Sequence, residues 1–302
     1  MSGVLASEVT SLGCHTDLWN PSAGVFSSLV DKLNIRQKLP PIKPAGAALG
    51  PVLPAIAAAV GLSENVLVFC GIHDSNASLL PYVLAFTPPF SVVSTGTWTI
   101  AMSIGGEEKP LDPDRDTLIN VNALGQPVRS ARFMGGREFD LMTGGIVGDL
   151  DSAATQETLS SHVMLLPAVL PDTGPFQGSN SRWVGAEPPA ASEARAIATA
   201  FYLALVTAEC LLLTGHVGQI VVEGPFAKNQ PYLAMLAAAT GSEVRLAASQ
   251  TGTSIGAALL VTGDPGVVDT TPLAITNDLL SRLSAYAVIW REAVMGSDPQ
   301  RG

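Results

Sequence analysis

The sequence predicts an α/β protein, and three observations support this prediction. β-rich runs come first in the larger C-terminal part of the chain, and helical and strand patterns then alternate. Short apolar runs such as Val66–Cys70 have the length of buried strands. Of the 302 residues, 47% are hydrophobic and only 14% are charged, which favours packed cores over disorder. The length is compatible with one large domain or two.

Composition also excludes several classes of function. The formal net charge is -10 and Lys/Arg clusters are absent, which argues against a nucleic-acid or anionic-membrane partner. Cys14, Cys70 and Cys210 form neither a disulfide framework nor a CxxC metal motif. Residues 1–10 have no basic start and no apolar core of a signal peptide, so we expect a cytoplasmic location.

The elements of the first part of the chain are short. We expect a helix at about residues 49–60 and a strand at Val66–Cys70. Asp74 or Ser75 can cap the helix that follows. Pro88-Pro89 closes that helix, and a domain boundary is expected there.

Two β-hairpins are predicted next. The first joins residues 91–94 to residues 98–103. The second joins residues 121–124 to residues 128–133, with its turn at Gly125-Gln126.

A long apolar helix dominates the second half of the sequence. The preceding segment, Leu165–Gly185, is rich in proline and glycine and is expected to be a surface loop. The helix Ala194–Leu213 follows Ser192 as its N-cap, and it carries Arg195 and Glu209. These features favour a buried core helix over a membrane span.

Shorter elements complete the alternating pattern. They are a strand at 219–222, a turn at 223–225, a helix at 232–240, a strand at 244–246 and a last buried helix at 254–261.

The segment Gly71–Asn76 lies where a strand becomes a helix, a position at which α/β proteins place reactive groups. The Asp74 carboxylate there could take a proton from an attacking hydroxyl, or it could simply be the N-cap. His73, Asp74 and Ser75 are the residue types of a hydrolase triad. Sequence neighbours cannot face one another as a triad requires, however, and no GxSxG motif accompanies them.

Glycine-rich turns form the other candidates. Ser94–Thr97 could approach a phosphate as an anion nest, but a tight hairpin turn needs the same residues. Glu223–Phe226 fits a ligand crevice or a plain strand-to-helix turn, and it is not a P-loop. Thr251–Gly256 is typical of helix packing. Cys14–Asp17 lacks a second ligand pair, which favours a substrate-side loop or packing over a metal site.

Taken in order, these segments resemble one known family. The segments that carry the likeness are Thr10–Trp19, Gly71–Ala77, Ser94–Trp98, Arg132–Glu138, Gly174–Phe176 and Val222–Pro225. Together they resemble the FGGY carbohydrate kinases, a branch of the actin, hexokinase and heat-shock ATPase superfamily. They look most similar to the rhamnulokinase- and fuculokinase-like members.

The resemblance implies an α/β fold with an actin-like ATPase (ribonuclease H-like) domain, preceded by the remnant of a first such domain. Residues 1–87 would be the tail of the sugar-binding first domain, and residues 88–302 the nucleotide-binding second domain. The family opens with an Asp-x-Gly-Thr-like turn that contacts phosphate and magnesium. We expect this chain to lack that turn and most of the sugar-binding domain.

The resemblance further implies phosphorylation of a sugar hydroxyl, of a ketose or deoxy-ketose, by ATP with Mg²⁺. Asp74 would be the general base, and no metal ligand is assigned. The nucleotide-binding residues would be Thr95, Gly96, Thr97, Gly224, Pro225 and Asn229, and the substrate-binding residues His15, Asp17 and His73. Pro225 departs from the glycine run of many relatives and removes one backbone donor.

A rival interpretation is a kinase remnant without catalysis, which acts at most as a nucleotide-binding or interaction protein. We also expect the surface left by a missing domain to make the chain self-associate as a homo-oligomer.

Overall fold

The structure is a computed structural model, and it describes residues 1–248 and 252–296, with the side chain of His15 excepted. The chain forms two compact units. Unit 1 comprises Met1–Thr87, Ile119–Val128 and Thr251–Val268, and unit 2 comprises Pro88–Leu118, Arg129–Gln250 and Asp269–Gly302. The assignment of residues 1–87 and 88–302 to the two domains of the family stays a proposal.

Strands and short helices alternate along the chain. The strands are β1 (Ser7–Glu8), β2 (Trp19–Asn20), β3 (Val25–Phe26), β4 (Ile42–Lys43), β5 (Ala48–Pro51), β6 (Leu67–Phe69), β7 (Phe90–Thr95), β8 (Thr99–Ile104), β9 (Thr117–Val121), β10 (Pro127–Phe133), β11 (Met164–Leu166), β12 (Arg182–Val184), β13 (Gln219–Glu223), β14 (Val244–Ala247) and β15 (Thr270–Pro272). The α-helices are α1 (Val9–His15), α2 (Ser28–Lys32), α3 (Pro54–Val60), α4 (Asp74–Ala85), α5 (Gly135–Thr143), α6 (Ala153–Ser161), α7 (Glu193–Leu213), α8 (Gln230–Thr240), α9 (Gly252–Thr262) and α10 (Asn277–Met295).

Unit 1 is built around the contact of α4 with α9. Gly256 is buried in α9, and a Cβ added there would lie closer than 3.0 Å to the carbonyl oxygen of Ala77 in α4. The hydroxyls of Ser78 and Thr253 lie 2.8 Å apart across the same contact. The two helices therefore approach closely because Gly256 has no side chain, as the packing interpretation of this segment predicts; Thr251 itself lies outside the described residues.

Seven strands form a mixed sheet in the order β15-β14-β13-β7-β8-β10-β9, and the five strands β15, β14, β13, β7 and β8 lie wholly in unit 2. The strands β7, β8 and β10 pair antiparallel, while β13 runs parallel to both β7 and β14. Parallel pairing of β13 with β7 brings the carboxyl ends of two strands to one edge of the sheet. Ligands in α/β proteins commonly bind at such an edge.

Helix α7 is the central core helix of unit 2. The hydroxyl of Ser192 accepts a hydrogen bond from Arg195 N–H at 3.2 Å and begins the helix. Leu203 and Leu205 are buried and share one apolar cluster with Val93 and Val222 of the sheet. Among the described residues α7 alone is long and apolar enough to span a membrane, but 83% of its most apolar window is buried. The prediction of a core helix is confirmed.

Two predicted boundaries are wrong. Residues 48–51 form a strand, and α3 begins only at Pro54. The N–H of the first helical residue has no partner within the helix, so a proline, which lacks this N–H, is well suited to that position. In the second hairpin, β9 ends at Val121. The side-chain oxygen of Asn122 accepts hydrogen bonds from two backbone N–H groups, which turns the chain earlier than predicted.

The segment Leu165–Gly185 is not a simple surface loop. Its ends form β11 and β12, which pair antiparallel. Leu165 and Leu166 are buried, because this apolar run covers the core of unit 2.

The C-terminal helices also differ from the prediction. In α9 most side chains are exposed, so the expectation of a buried helix is wrong. Helix α10 was not predicted, and its Leu283, Tyr286, Ala287 and Trp290 are buried at helical spacing.

Candidate active site

A pocket of about 370 Å³ opens in unit 2 where β7 and β13 end. Its lining combines two turns, the first part of α5 and the segment that follows this helix. The lining residues are Gly96, Thr97, Gly136, Phe139, Asp140, Gly145, Val147, Pro225, Phe226, Lys228 and Asn229.

The sheet register explains why the two turns meet. Ser94 on β7 pairs with Glu223 on β13, so the turns after both strands leave the sheet side by side. The Thr95 hydroxyl donates a hydrogen bond to the Glu223 carbonyl oxygen at 2.5 Å and accepts one from Phe226 N–H at 3.1 Å. Gly224 has φ 83°, and an added Cβ would lie closer than 3.0 Å to the Thr95 carbonyl oxygen. The Thr95 hydroxyl thus connects the two turns by hydrogen bonds, and the missing side chain of Gly224 lets them approach closely.

The start of α5 forms a third side of the pocket. A Cβ added at Gly136 would lie closer than 3.0 Å to the carbonyl oxygen of Gly96. The backbone N–H of Arg137 donates to the Thr97 carbonyl oxygen at 3.3 Å. The helix can therefore lie against the hairpin turn only because residue 136 is a glycine.

The pocket is mostly apolar with a few polar groups. The rings of Phe139 and Phe226 pack edge to face with their centroids 5.6 Å apart. The side-chain oxygen of Asn229 accepts from Tyr232 N–H at 3.1 Å and caps α8, so its amide NH₂ remains the group that can donate. Lys228 and Asp140 bring one charge of each sign. Such a pocket suits an organic ligand with a flat apolar part and an anionic part.

Asp74 begins α4 in unit 1. The residue that caps the helix is His73, and its side chain makes no capping hydrogen bond, so the N-cap interpretation of Asp74 or Ser75 is wrong. The Asp74 side chain is 78% exposed, and its Oδ1 accepts from Ser75 N–H at 2.7 Å and lies 3.3 Å from His73 Nε2. Oδ2 has no hydrogen-bond partner within residues 1–248 and 252–296, so it can accept a hydrogen bond from a ligand.

A buried carboxylate supports the backbone just before Asp74. Glu8, which is 7% exposed, accepts hydrogen bonds from the backbone N–H and the hydroxyl of Thr10 at 2.8 and 2.6 Å. The Thr10 hydroxyl in turn accepts from His73 N–H at 2.9 Å. This chain of bonds ties the start of α4 to the start of α1.

The thiol of Cys14 lies beside the same helix. Asn76 donates its side-chain N–H to Cys14 Sγ at 3.1 Å. Burial raises the pKa of the Cys14 thiol to about 11, so the thiol stays protonated at neutral pH and is a poor nucleophile.

Comparisons with known proteins show the family of the chain. A sequence profile described as the C-terminal domain of carbohydrate kinase FGGY matches residues 87–270, which is more than half of the chain. The chain belongs to the FGGY carbohydrate kinase family. A search of curated proteins found no match.

Solved structures show the same fold. The chain is similar to a carbohydrate kinase from Novosphingobium aromaticivorans, with a TM-score of 0.85 and 37% identity over 97% of this chain and 66% of that one. A ligand-bound xylulose kinase from Lactobacillus acidophilus gives a TM-score of 0.72 at 15% identity, over 98% of this chain and 66% of that one. Plasmodium falciparum glycerol kinase with ADP gives 0.73 at 15% identity, over 99% and 64%.

The FGGY chain thus spans just under two thirds of the length of these relatives. The predicted fold class, α/β with an actin-like ATPase domain, is confirmed. The finer likeness to rhamnulokinases and fuculokinases stays a prediction.

Four of the nucleotide-binding residues predicted for this FGGY chain line the pocket: Gly96, Thr97, Pro225 and Asn229. Thr95 and Gly224 lie behind the lining, where they join the two turns. The contribution of α5 and of the segment that follows it was not predicted. The pair Gly135-Gly136, which begins the amphipathic helix α5, was the available signal.

The predicted substrate-side residues of the FGGY chain all belong to unit 1. His15 ends α1, and its side chain lies outside the described part of the structure. Asp17 is exposed, and its carbonyl oxygen accepts a hydrogen bond from the Ser27 hydroxyl. Among the described residues no group of three His, Cys, Asp or Glu side chains could hold a metal ion.

Proposed function

We propose that this chain carries the nucleotide-binding portion of an ATP-dependent sugar kinase. The observation that carries the proposal is the convergence of two separately predicted turns, 96–97 and 225–229, on one 370 Å³ pocket. The apolar surfaces of Phe139 and Phe226 suit a purine, and small residues at the hairpin turn let backbone N–H groups approach phosphates.

In a complete kinase, Asp74 would act on the sugar. Phosphoryl transfer depends mainly on positioning and on charge stabilisation. Oδ2 of Asp74 would take the proton of the attacking hydroxyl, and Oδ1, held by Ser75 N–H, would keep the carboxylate oriented. A ketose or deoxy-ketose is the substrate class that we propose.

The described residues do not by themselves fit a magnesium site, since they contain no cluster of candidate ligands. Mg²⁺ typically binds through substrate phosphates and one or two carboxylates, and it would neutralise phosphate charge. We derive no step of the reaction from a metal ion held by this chain.

A second candidate function is nucleotide binding without turnover. This chain covers 66% of the Novosphingobium aromaticivorans kinase, so an assay of this chain alone omits the contacts that the remaining third of such a kinase would make. Loss of several charge-assisted contacts from the rest of such an enzyme would limit ATP affinity to about millimolar or weaker and abolish sugar phosphorylation. An ADP-release assay over a panel of ketoses distinguishes the two candidates, because robust turnover by the purified chain excludes the second.

Binding to the pocket can be tested by a titration of the purified chain with ATP, followed by NMR. Lys228→Ala should weaken binding about tenfold or more, since a charge-assisted contact contributes about 1.5–3 kcal/mol. Lys109→Ala, which removes a lysine paired with Glu107, is the matched control and should bind as wild type. If Lys228→Ala and wild type bind equally, the nucleotide does not occupy this pocket.

The role of Asp74 can be tested in a complete kinase that contains this region. Asp74→Asn should lower kcat by about 10² to 10⁴-fold while ATP affinity stays near wild type, because general-base catalysis contributes that much. Glu64→Gln, an exposed carboxylate of the same unit, is the control. A kcat within a few-fold of wild type for Asp74→Asn would remove Asp74 from the mechanism.

A further inference from the structure

Glu138 is a buried carboxyl on helix α5 that no step of the proposed reaction uses. It is 1% exposed. Its Oε2 accepts a hydrogen bond from the Tyr202 hydroxyl on α7 at 2.8 Å, and its Oε1 accepts from Leu170 N–H at 3.1 Å. One side chain therefore connects α5 with α7 and with the segment that follows β11.

Helix α5 is also the wall of the pocket. Gly136, Phe139 and Asp140 line the pocket, and Glu138 lies between them in sequence but is buried away from solvent. No side chain caps the helix at Met134, and the backbone N–H of Arg137 donates to the Thr97 carbonyl oxygen on the pocket side. The Glu138 bonds hold the buried side of the helix at the turn that lines the pocket.

We propose that Glu138 is a positioning residue of the nucleotide pocket, whose carboxyl fastens α5 to α7 and to Leu170 and whose protonation state sets how firmly that wall is held. The inference rests on the proposed nucleotide binding. It adds a regulation of the same pocket by pH.

The charge of Glu138 changes in the neutral pH range. Burial raises the pKa of the carboxyl to about 7, and the hydrogen bonds from Tyr202 and Leu170 only partly oppose this effect. Burial raises the pKa of Tyr202 and of Cys210 on α7 above their ordinary values, so both stay neutral. The charged groups on the surrounding elements are Arg137, Asp140, Asp172, Glu193, Arg195, Glu209 and Lys228.

The physical consequence has a definite sign. Above about pH 7 the carboxyl ionises among apolar neighbours, which favours an opening of α5 that hydrates the charge. A nucleotide that fills the pocket holds α5 in place and opposes that hydration, so the pKa of Glu138 rises further in the complex. Nucleotide affinity must then fall as the pH rises, up to tenfold for each pKa unit between the free and bound states.

The test compares ADP affinity of wild type and Glu138→Gln at about pH 6, 7 and 8, because glutamine has nearly the same shape and no charge at any pH. Dividing the two affinities at each pH cancels the titration of ADP itself. We expect the affinity of wild type relative to Glu138→Gln to fall about tenfold from pH 6 to pH 8. Glu157→Gln, an exposed glutamate on α6, should follow wild type. Parallel profiles of wild type and Glu138→Gln, within about twofold, would overturn the proposal.

A second measurement does not need the nucleotide. Amide hydrogen exchange over residues 135–143 should be faster in wild type than in Glu138→Gln at about pH 8 and equal at about pH 6. Tyr202→Phe, which removes the hydroxyl donor, should accelerate exchange of the same helix at both pH values. Equal exchange in all three proteins overturns the positioning role. If no variant binds ADP at any pH, the proposed function fails instead, and hydrogen exchange still decides the role of Glu138.

Discussion

Replacing Gly224 by alanine should separate the two turns that form the rim of the pocket. Gly224 has φ 83° and ψ -163°, a backbone conformation that is essentially restricted to glycine. A Cβ at this position would lie closer than 3.0 Å to the Thr95 carbonyl oxygen and 2.8 Å from the Thr95 hydroxyl oxygen. The obstacle is a backbone atom of the central strand β7, so a side-chain rotation cannot relieve it.

The cost has two parts of similar size. The disfavoured backbone conformation costs about 1–3 kcal/mol, and overpacking against a rigid neighbour costs about 1–3 kcal/mol more. The sum, about 2–6 kcal/mol, is a large part of the 5–15 kcal/mol by which a domain is typically stable. The same displacement would stretch the bonds of the Thr95 hydroxyl to Glu223 and Phe226, so ATP binding should fall together with stability.

Urea unfolding of Gly224→Ala and Gly241→Ala compares a crowded glycine of restricted conformation with an uncrowded one in the left-handed helical region. Gly241 ends α8 with φ 68°, but an added Cβ there meets nothing within 4 Å. Alanine at 241 therefore adds the conformational cost alone, about 1–2 kcal/mol. The free energy of unfolding should fall by at least about 1 kcal/mol more in Gly224→Ala than in Gly241→Ala. Equal losses would refute the claim that residue 224 fixes the distance between the two turns.

Three further predictions concern stability. Leu205→Lys should unfold unit 2, because an unpaired buried charge costs several kcal/mol. Leu212→Lys changes a 62% exposed position of the same helix and should keep the Tm of wild type. Equal Tm values for the two variants would show that Leu205 is not a core residue. Gly256→Ala should lower the free energy of unfolding in urea by about 1–3 kcal/mol, because the new Cβ would collide with the Ala77 carbonyl oxygen. Ser254→Ala is the control and should change this free energy little. An unchanged stability of Gly256→Ala would contradict the close approach of α4 and α9. Burial lowers the pKa of His216 below the unfolded value of 6.5, so the unfolded chain binds more protons. Urea unfolding across pH should then show stability that is lost as the pH falls below 6.5, and His216→Gln should reduce that loss; an unchanged pH dependence would contradict it.

The elements that depend mainly on their own local sequence were predicted. Helix α7 is apolar over its whole length and has a serine at its N-cap, and it forms as predicted. Strands β5, β11 and β12 were missed because each consists of three or four residues and depends on a partner that the sequence does not identify. Helix α10 is different, since its buried residues recur at helical spacing and could have been predicted.

The candidate site was predictable where strand ends determine it. Gly96, Thr97, Pro225 and Asn229 follow two apolar strands, and parallel pairing of those strands brings the residues together. Gly135 and Gly136 indicated a close approach of α5, but its partner was not predictable, because it is set by the contact of Gly136 with the hairpin turn. Tertiary packing, rather than a local motif, places those residues.

The discontinuous composition of unit 1 limits how the protein can be divided for experiments. A cut between residues 87 and 88 would follow the first boundary of the units, but it would leave α4 without α9, which belongs to Thr251–Val268. The Ala77 carbonyl, which is buried against Gly256, would then face water. A fragment that ends at residue 87 is thus a poor reporter of Asp74, and a soluble version of unit 1 would need α9 joined back by a circular permutation or a linker.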